Sequence, residues 1–347
     1  MTAALIGCGR IAQVHQQYLA TVPEAELVAV CDADAGARAA MSARAAVPPY
    51  ASLEQLLAAA APQVVHILTP PPTHAPLALQ ALAAGAHVLI EKPMALSAAD
   101  ADSLVAAAHR NNCIVTADHN RWFDPVVQRA RALLASGALG TLTGVEIFQG
   151  AVGEGDAAAL GWKTALPGGP LHDVAPHPLY FLRHFLGPIA TFEVMAERDA
   201  NGNVAEARAI ARGEAGWGTV TLSLRARPAS NWVRLLGSVA TAEINLNHMT
   251  LVVYRDHQVS KLIGKVLPNL DVAWQLVRDT ARNGMEFVRG KQRFYPGIGA
   301  HLREFYRCVA GGLPAPVSAE AARDVVAMCE QTLAANGASQ PARAVGL

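Results

Sequence analysis

A glycine pair at the end of an apolar run sets the first constraint on this chain. Ala3–Ile6 reads as a short strand, Gly7-Cys8-Gly9-Arg10-Ile11-Ala12 follows at once, and Ile11–Ala20 has helical spacing. A strand, a glycine turn and a helix in direct succession open a βαβ unit. The alternation then repeats. Glu26–Cys31 is a β-rich run that ends at Asp32, and Ser52 stands as an N-cap before Leu53, Leu56 and Leu57. Val64–Leu68 is apolar and stops at Thr69-Pro70-Pro71-Pro72; Ala75–Ala84 is a helix pattern closed by Gly85. His87–Ile90 is a further strand, Ser97 and Asp100 open a helix to about His109, and Ile114–Ala117 is a sixth strand. Strands separated by such helices make a parallel sheet. Right-handed crossovers then give a doubly wound, Rossmann-type α/β domain over residues 1–120.

The pattern changes after residue 120. Asp124-Pro125 is an N-cap with proline at the first helical position, opening a helix through Leu134 that closes at Gly137. Period-two runs follow near Leu142–Phe148, Thr219–Arg225, Trp232–Leu236, Ala242–Leu246 and Leu251–Tyr254. They predict an antiparallel sheet with one wet face. Helices are expected near 268–288, 298–310 and 318–335, which makes residues 121–340 an α+β domain.

Bulk properties limit the partners. Lys+Arg and Asp+Glu both number 28, so the formal net charge is zero and no global field gathers nucleic acid. No run approaches the roughly 20 apolar residues that span a bilayer, so no stable membrane insertion is expected. The start lacks a basic, cleavable leader, and the five cysteines form no C-x-x-C pair. Reduced thiols in a cytoplasmic protein are the expectation.

Four segments carry chemistry. In the first, Gly7 permits the tight turn and Gly9 lets a pyrophosphate approach the backbone at a helix N-terminus, beside Arg10 and Ile11. Asp32 follows about 20 residues on, placed to accept hydrogen bonds from an adenosine ribose. Ala33-Asp34 come next with no arginine, so a 2′-phosphate would meet negative charge and NAD is favoured over NADP. The second is His66–His74, where Thr69, Pro70, Pro71 and His74 lie at a strand's carboxyl end, the ligand side of such sheets. Glu91-Lys92-Pro93 is the third. A partly buried Lys92 can work near neutrality on a substrate hydroxyl, and Pro93 can be cis or trans. The fourth is Gly168-Gly169-Pro170-Leu171-His172-Asp173-Val174-Ala175-Pro176-His177. On a helix, Asp173 and His177 at i,i+4 would share a face, as an acid–base pair or as a structural ion pair, although Pro176 disturbs a helix there. No further ligands stand nearby at familiar spacing, so no metal is expected.

Together these segments resemble the Gfo/Idh/MocA oxidoreductases, the family of glucose–fructose oxidoreductase and inositol 2-dehydrogenase. The likeness rests on G-C-G-R-I-A-x-x-H through His15, V-C-D, T-P-P-P-T-H, A-G-A-H-V-L-I-E-K-P, N-R-W-F-D-P and G-G-P-L-H-D-V-A-P-H, in the family's order. It implies a substrate held over the nicotinamide, a homodimer or homotetramer, and an open, mainly antiparallel sheet that makes residues 121–340 the substrate-binding and oligomerisation domain. It also implies Lys92 as the active-site lysine, His177 as general acid or base and Asp173 as a substrate-orienting acid. Glu91 and Lys92 join the cofactor contacts, and Asn120, Arg121 and Trp162 become pocket residues. Three positions depart from the family pattern: Pro170 for a third glycine, Ala175 for the glycine before the histidine, and Tyr180 for a second acid.

The expected activity is NAD-dependent hydride transfer at a secondary alcohol or ketone of a sugar, cyclitol or sugar-derived molecule. The alternatives are redox-neutral epimerisation or elimination through transient oxidation, and a non-catalytic NAD(P)-sensing regulator. The segment 261–293 is a long amphipathic pattern that reads as a core or interface helix, or as a greasy surface for a lipid-linked or aromatic substrate.

Overall fold

The computed structural model describes residues 1–150, 166–289 and 295–335. Six strands, β1 (Thr2–Ile6), β2 (Glu26–Cys31), β3 (Pro49–Tyr50), β4 (Val64–Ile67), β5 (His87–Ile90) and β6 (Val115–Ala117), form a parallel sheet in the order β3-β2-β1-β4-β5-β6. Helices α1 (Arg10–Leu19), α2 (Ala35–Ala45), α3 (Leu53–Ala60), α4 (His74–Ala83) and α5 (Ala98–Arg110) connect them. All four residues of β4 are buried, as a strand covered on both faces requires. The expected caps form: Ser52 Oγ accepts the Gln55 N–H at 3.3 Å, and Ser97 Oγ accepts that of Asp100 at 3.1 Å. Strand order reverses between β1 and β4, so their carboxyl ends border the crevice where such sheets bind ligands.

After α6 (Pro125–Ala135) comes a seven-stranded sheet in the order β13-β12-β11-β7-β10-β9-β8. Its strands are β7 (Leu142–Gly150), β8 (Ile189–Arg198), β9 (Val204–Gly213), β10 (Gly216–Ser223), β11 (Asn231–Gly237), β12 (Ala240–Asn245) and β13 (Thr250–Arg255). Only β7 and β10 pair in parallel, so the sheet is mixed but mainly antiparallel. Two helices, α7 (Leu171–Val174) and α8 (Pro176–Leu186), precede β8; Gly218 leaves room for Leu182 and Leu186 against the sheet. The sequence reading missed β8 and β9. Strand β9 is rich in alanine, a helix former, yet it alternates: Ala207, Ala209 and Ala211 are buried while Arg208, Ile210 and Arg212 are exposed.

Among the described residues three helices follow: α9 (Leu267–Val288), α10 (Pro296–Gly311) and α11 (Ala319–Ala334). They do not all belong to the second domain, as a single boundary at residue 120 would have it. The first compact unit is Met1–Gln128 with Phe287–Ala327; the second is Arg129–Glu286 with the chain from Met328 onwards. The cause is hydrophobic. Ile298, Leu302, Phe305 and Tyr306 of α10 are fully buried in one core with Leu5, Leu19, Val30 and Leu89. Gly299 permits the approach, since a Cβ there would lie 2.4 Å from the Tyr18 ring.

Helix α9 covers the open edge of β13. Gln275 accepts the Val253 N–H at 2.8 Å and donates to the Val253 carbonyl at 3.0 Å, as a neighbouring strand would. Asp279 accepts the Leu251 N–H at 2.8 Å and both its oxygens take Arg129. Side chains thereby satisfy an edge that would otherwise invite pairing. The buried side of this helix is polar, and its apolar residues Leu270, Trp274, Val277 and Phe287 face outward. It is therefore not a core helix. Truncation of Leu302 to Ala tests the membership of α10 in the first core. We expect a loss of about 2–5 kcal/mol in urea unfolding; an unchanged midpoint would count against it.

Candidate active site

The glycine turn has the geometry that the sequence requires. Gly7 adopts φ +93°, and a Cβ there would lie 2.8 Å from the Leu68 carbonyl carbon and oxygen. Its N–H donates to the Cys31 carbonyl at 2.8 Å, which locks the end of β1 to that of β2. Gly9 is exposed, and a Cβ there would meet nothing within 4 Å, so the space above the α1 N-terminus is open. No acidic residue stands in the first turn of α1 and no side chain caps it. Its N–H groups and dipole thus suit an anion. A cavity of about 310 Å³ beside the turn is lined by Cys8, Gly9, Arg10, Gln13 and residues of α2.

Asp32 is oriented from two sides. Its Oδ2 accepts the Cys8 N–H at 2.7 Å and its Oδ1 the Asp34 N–H at 2.9 Å. A carboxylate offers about four lone-pair positions, so acceptors remain for a ribose diol. Arg38, from the first turn of α2, was not foreseen. It donates to the Asp32 carbonyl at 2.5 Å and the Ala33 carbonyl at 3.4 Å, so this strand end holds a cation as well as an acid. Burial pushes the Cys8 thiol up to about 12 and the neighbouring Asp32 adds to it, so Cys8 is a protonated packing residue here.

His74 is not placed as a cofactor contact. It is fully buried, with Nδ1 at 2.8 Å from the Pro93 carbonyl and Nε2 at 2.7 Å from the Thr69 carbonyl. Burial lowers its pKa, so the neutral ring has one N–H to donate to these two acceptors. The ring packs between the Thr69–Pro72 loop and the segment after β5 and donates to one of them. Thr69 stays at the surface of this loop, its hydroxyl accepting from Thr73 at 2.7 Å, whereas Pro71 is buried. The Lys92–Pro93 bond is cis. Glu91 turns inward: Oε2 accepts the Lys92 backbone N–H at 3.0 Å, and Oε1 lies 3.9 Å from His15 Nε2. Asn120 and Arg121 sit in a 3-10 turn after β6, where Asn120 Oδ1 accepts the Arg121 N–H at 2.7 Å.

Beneath this edge lies a buried polar chain that the sequence reading did not identify. Asp118, with no exposed surface, follows β6; His301 Nδ1 of α10 donates to its Oδ1 at 2.7 Å. His15 Nε2 lies 3.5 Å from Asp118 Oδ2, an ion-pair distance rather than a well-formed hydrogen bond. His15 Nδ1 and His66 Nδ1 are 3.1 Å apart, and His66 Nε2 lies 2.9 Å from the Tyr306 hydroxyl. Burial alone would lower the His15 pKa, but Asp118 and Glu91 more than offset it and bring it to about 9. His66 goes the other way, lowered by burial and by the charge of His15. Asp118 resists the rise that burial imposes and is held below the usual carboxylate range by both histidines. The signal in sequence was His66 inside the apolar run Val64–Leu68; His15 and Asp118 stand among polar neighbours and gave none.

In the second unit Gly168 and Gly169 have φ +76° and +72°, and a Cβ on them would strike Leu333 and Asn203 respectively. Pro170 sits at φ −60°, the value its ring favours, so the third position needs no glycine. Ala175 is likewise in the right-handed helical region. Pro176 splits the segment into α7 and α8 but leaves it helical, so Asp173 and His177 remain one turn apart. His172 is buried and donates Nδ1–H to the Pro167 carbonyl at 2.9 Å. His177 Nδ1 lies 3.0 Å from the Tyr180 hydroxyl, so a phenol orients this imidazole. Trp162 lies outside the described residues.

Comparison with known proteins settles the family. Residues 1–119 match the family model described as an oxidoreductase family with an NAD-binding Rossmann fold, and residues 127–243 match the GFO/IDH/MocA C-terminal domain. The chain belongs to the Gfo/Idh/MocA oxidoreductases. Its first domain is an NAD-binding Rossmann domain, and the open glycine turn and oriented Asp32 fit that cofactor. Oxidoreductase P35 of Formosa agariphila is 31% identical over 53% of this chain and 60% of its own length. D-glucoside 3-dehydrogenase of Escherichia coli is 32% identical over 54% of each chain. UDP-N-acetylglucosamine 3-dehydrogenase of Acidithiobacillus ferrooxidans is 32% identical over 38% of this chain and 41% of its own. Its solved structure shares the fold at a TM-score of 0.75, covering 97% of both chains at 20% identity. The matched stretch thus spans less than two thirds of these curated relatives. Among the described residues no helix is long and apolar enough to cross a membrane.

The buried His15–Asp118 pair makes a pH prediction. His15 is raised from 6.5 to about 9, so the folded state binds the extra proton between these values. Its stabilisation is present in full below pH 6.5 and is lost as pH rises through about 9. The loss is of order 3 kcal/mol at most. Urea midpoints from pH 6 to 10 should fall in the wild type and show no such step in His15→Gln; parallel curves would contradict the pairing.

Proposed function

We propose that this chain is an NAD-dependent dehydrogenase acting on a secondary hydroxyl of a sugar, cyclitol or sugar-derived substrate, or reducing the matching ketone. The observation that carries the reading is Lys92, which stands at the carboxyl end of β5, the sheet edge that also bears the Gly9 turn and Asp32. NAD, when bound, supplies the acceptor for a hydride. The Lys92 ammonium donates a hydrogen bond to the reacting oxygen and stabilises its developing negative charge. When His177 donates Nδ1–H to the Tyr180 oxygen, its Nε2 lone pair can take the hydroxyl proton. Asp173 orients the substrate, with Asn120, Arg121 and Trp162 as pocket residues. The names of the two 3-dehydrogenases make a ring 3-hydroxyl the first position to test.

The same reading includes a homodimer or homotetramer in the cytoplasm. Outward apolar residues on α9, and Trp217 on the second sheet at 57% exposure, support self-association. Cys8, Cys31, Cys113 and Cys308 are free thiols, which suits a reducing compartment.

The test is a panel of glycosides, inositols and nucleotide sugars with NAD, followed at the absorbance of the reduced cofactor. Turnover is expected on at least one sugar. Lys92→Ala and His177→Ala should each lower kcat/KM about a hundred- to ten-thousandfold with NAD still bound. No turnover on any compound, or full activity in Lys92→Ala, would overturn the reading. Product formed without net NADH would replace it with the redox-neutral alternative.

A further inference from the structure

We infer that His15 is a positioning residue for Lys92, acting through the Glu91 carboxylate. The inference rests on the role proposed for Lys92 and extends it to a group inside the fold.

Glu91 has two oxygens with two different tasks. Oε2 accepts the backbone N–H of Lys92 at 3.0 Å, and Oε1 faces His15 Nε2 at 3.9 Å. The carboxylate therefore bridges α1 to the residue that carries the ammonium. His15 itself has no exposed surface, and two carboxylates, Glu91 and Asp118, face its Nε2. From β4, His66 Nδ1 faces its Nδ1 at 3.1 Å. From α10, His301 reaches it through Asp118, and Tyr306 through His66.

In either protonation state of His15, an N–H on Nε2 faces the two carboxylates. If His15 is an imidazolium, Nδ1–H donates to an unprotonated His66 Nδ1. His66 then holds its proton on Nε2 and donates it to the Tyr306 oxygen at 2.9 Å. His15 Nε2–H is directed at the two carboxylates, and His301 donates to the far oxygen of Asp118. A neutral His15 can keep its one N–H on Nε2, with Nδ1 accepting from His66 Nδ1–H and His66 Nε2 accepting from the Tyr306 hydroxyl, so the carboxylates face a donor in both states. A buried polar group without its partner costs roughly 1–3 kcal/mol. The pKa directions favour the imidazolium, since His15 is raised and His66 lowered.

The consequence is mechanical. An isolated Glu91 could swing to solvent and release the Lys92 N–H. The buried His15 Nε2–H faces Oε1 and keeps it inward, which keeps Oε2 on that N–H and fixes the start of the Lys92 side chain. His15 touches no reacting atom in this account. His15, Glu91 and Asp118 place ligand atoms within 4.8 Å of one another, close enough for a divalent cation to replace the proton. That arrangement is the competing one.

Hydrogen exchange resolves the question in the full-length protein. At pH 7, His15→Gln should expose the Lys92 amide and lower its protection at least about tenfold, while Val88 and Leu89 of β5 keep theirs. Glu91→Gln, which leaves His15 in place, should give the same local loss. If β5 loses protection as a whole, or Lys92 keeps its protection in both variants, the inference fails. Metal at one equivalent in the purified wild type, lost in His15→Gln, would also overturn it. If the dehydrogenase reading is right, kcat falls in His15→Gln while the dissociation constant for NAD stays unchanged. If the wild type turns over no sugar, that reading fails alone, since the exchange result stands without it.

Discussion

The carboxylate of Asp118 is the constraint on which the first unit depends. It has no exposed surface, and an isolated ionised carboxylate at such a depth is not tolerable. His301 and His15 make it tolerable, and they come from opposite ends of the chain. The need to satisfy this one group ties α10 to the end of β6 and to α1, beside the apolar packing of Leu302, Phe305 and Tyr306. Removing one partner of such a buried set costs more than its net worth, because the remaining charge is left uncompensated. This polar set joins the apolar packing of α10 in returning the chain to its first unit after the second is built.

That constraint also reaches the sheet edge. Through His15 it faces Glu91, and through Glu91 it meets the backbone of Lys92. Beside it, His74 packs between the Thr69 and Pro93 carbonyls. The loops after β4 and β5 are thus held by buried imidazoles on rigid elements, which is how a reactive side chain is kept near one geometry. In the second unit, Tyr180 gives His177 a neutral phenol as its partner. A phenol orients an imidazole without the charge that would raise its basicity.

Much of this was legible in the sequence. The Gly7–Gly9 turn, Asp32 and Lys92 could be placed because their neighbours in sequence define a strand end or a helix start. Caps at Ser52 and Ser97 were equally local. What could not be read depends on partners far along the chain. His74 looked like a ligand-side residue because it follows a strand, and only the fold shows Pro93 across from it. Arg38 escaped notice because it lies six positions beyond Asp32, and a helical turn folds it back. Asp118 and His301 are 183 residues apart. The alanines of β9 carried the wrong propensity, and tertiary pairing overrode it. The outward apolar face of α9 was also hidden, since periodicity finds two faces but does not say which one is buried.

The central claim is that the open backbone at Gly9 and the acid at Asp32 form an NAD site despite the nearby Arg38. Calorimetric titration of NAD and NADP into the purified protein and its Gly9→Ala variant tests it most directly. NAD should bind the wild type at least about tenfold more tightly than NADP, a difference of ~1.4 kcal/mol. Gly9→Ala should lose at least as much for NAD while unfolding at the wild-type temperature, since its Cβ points into open space. Equal affinity for the two cofactors, or wild-type NAD binding in Gly9→Ala, would contradict the account.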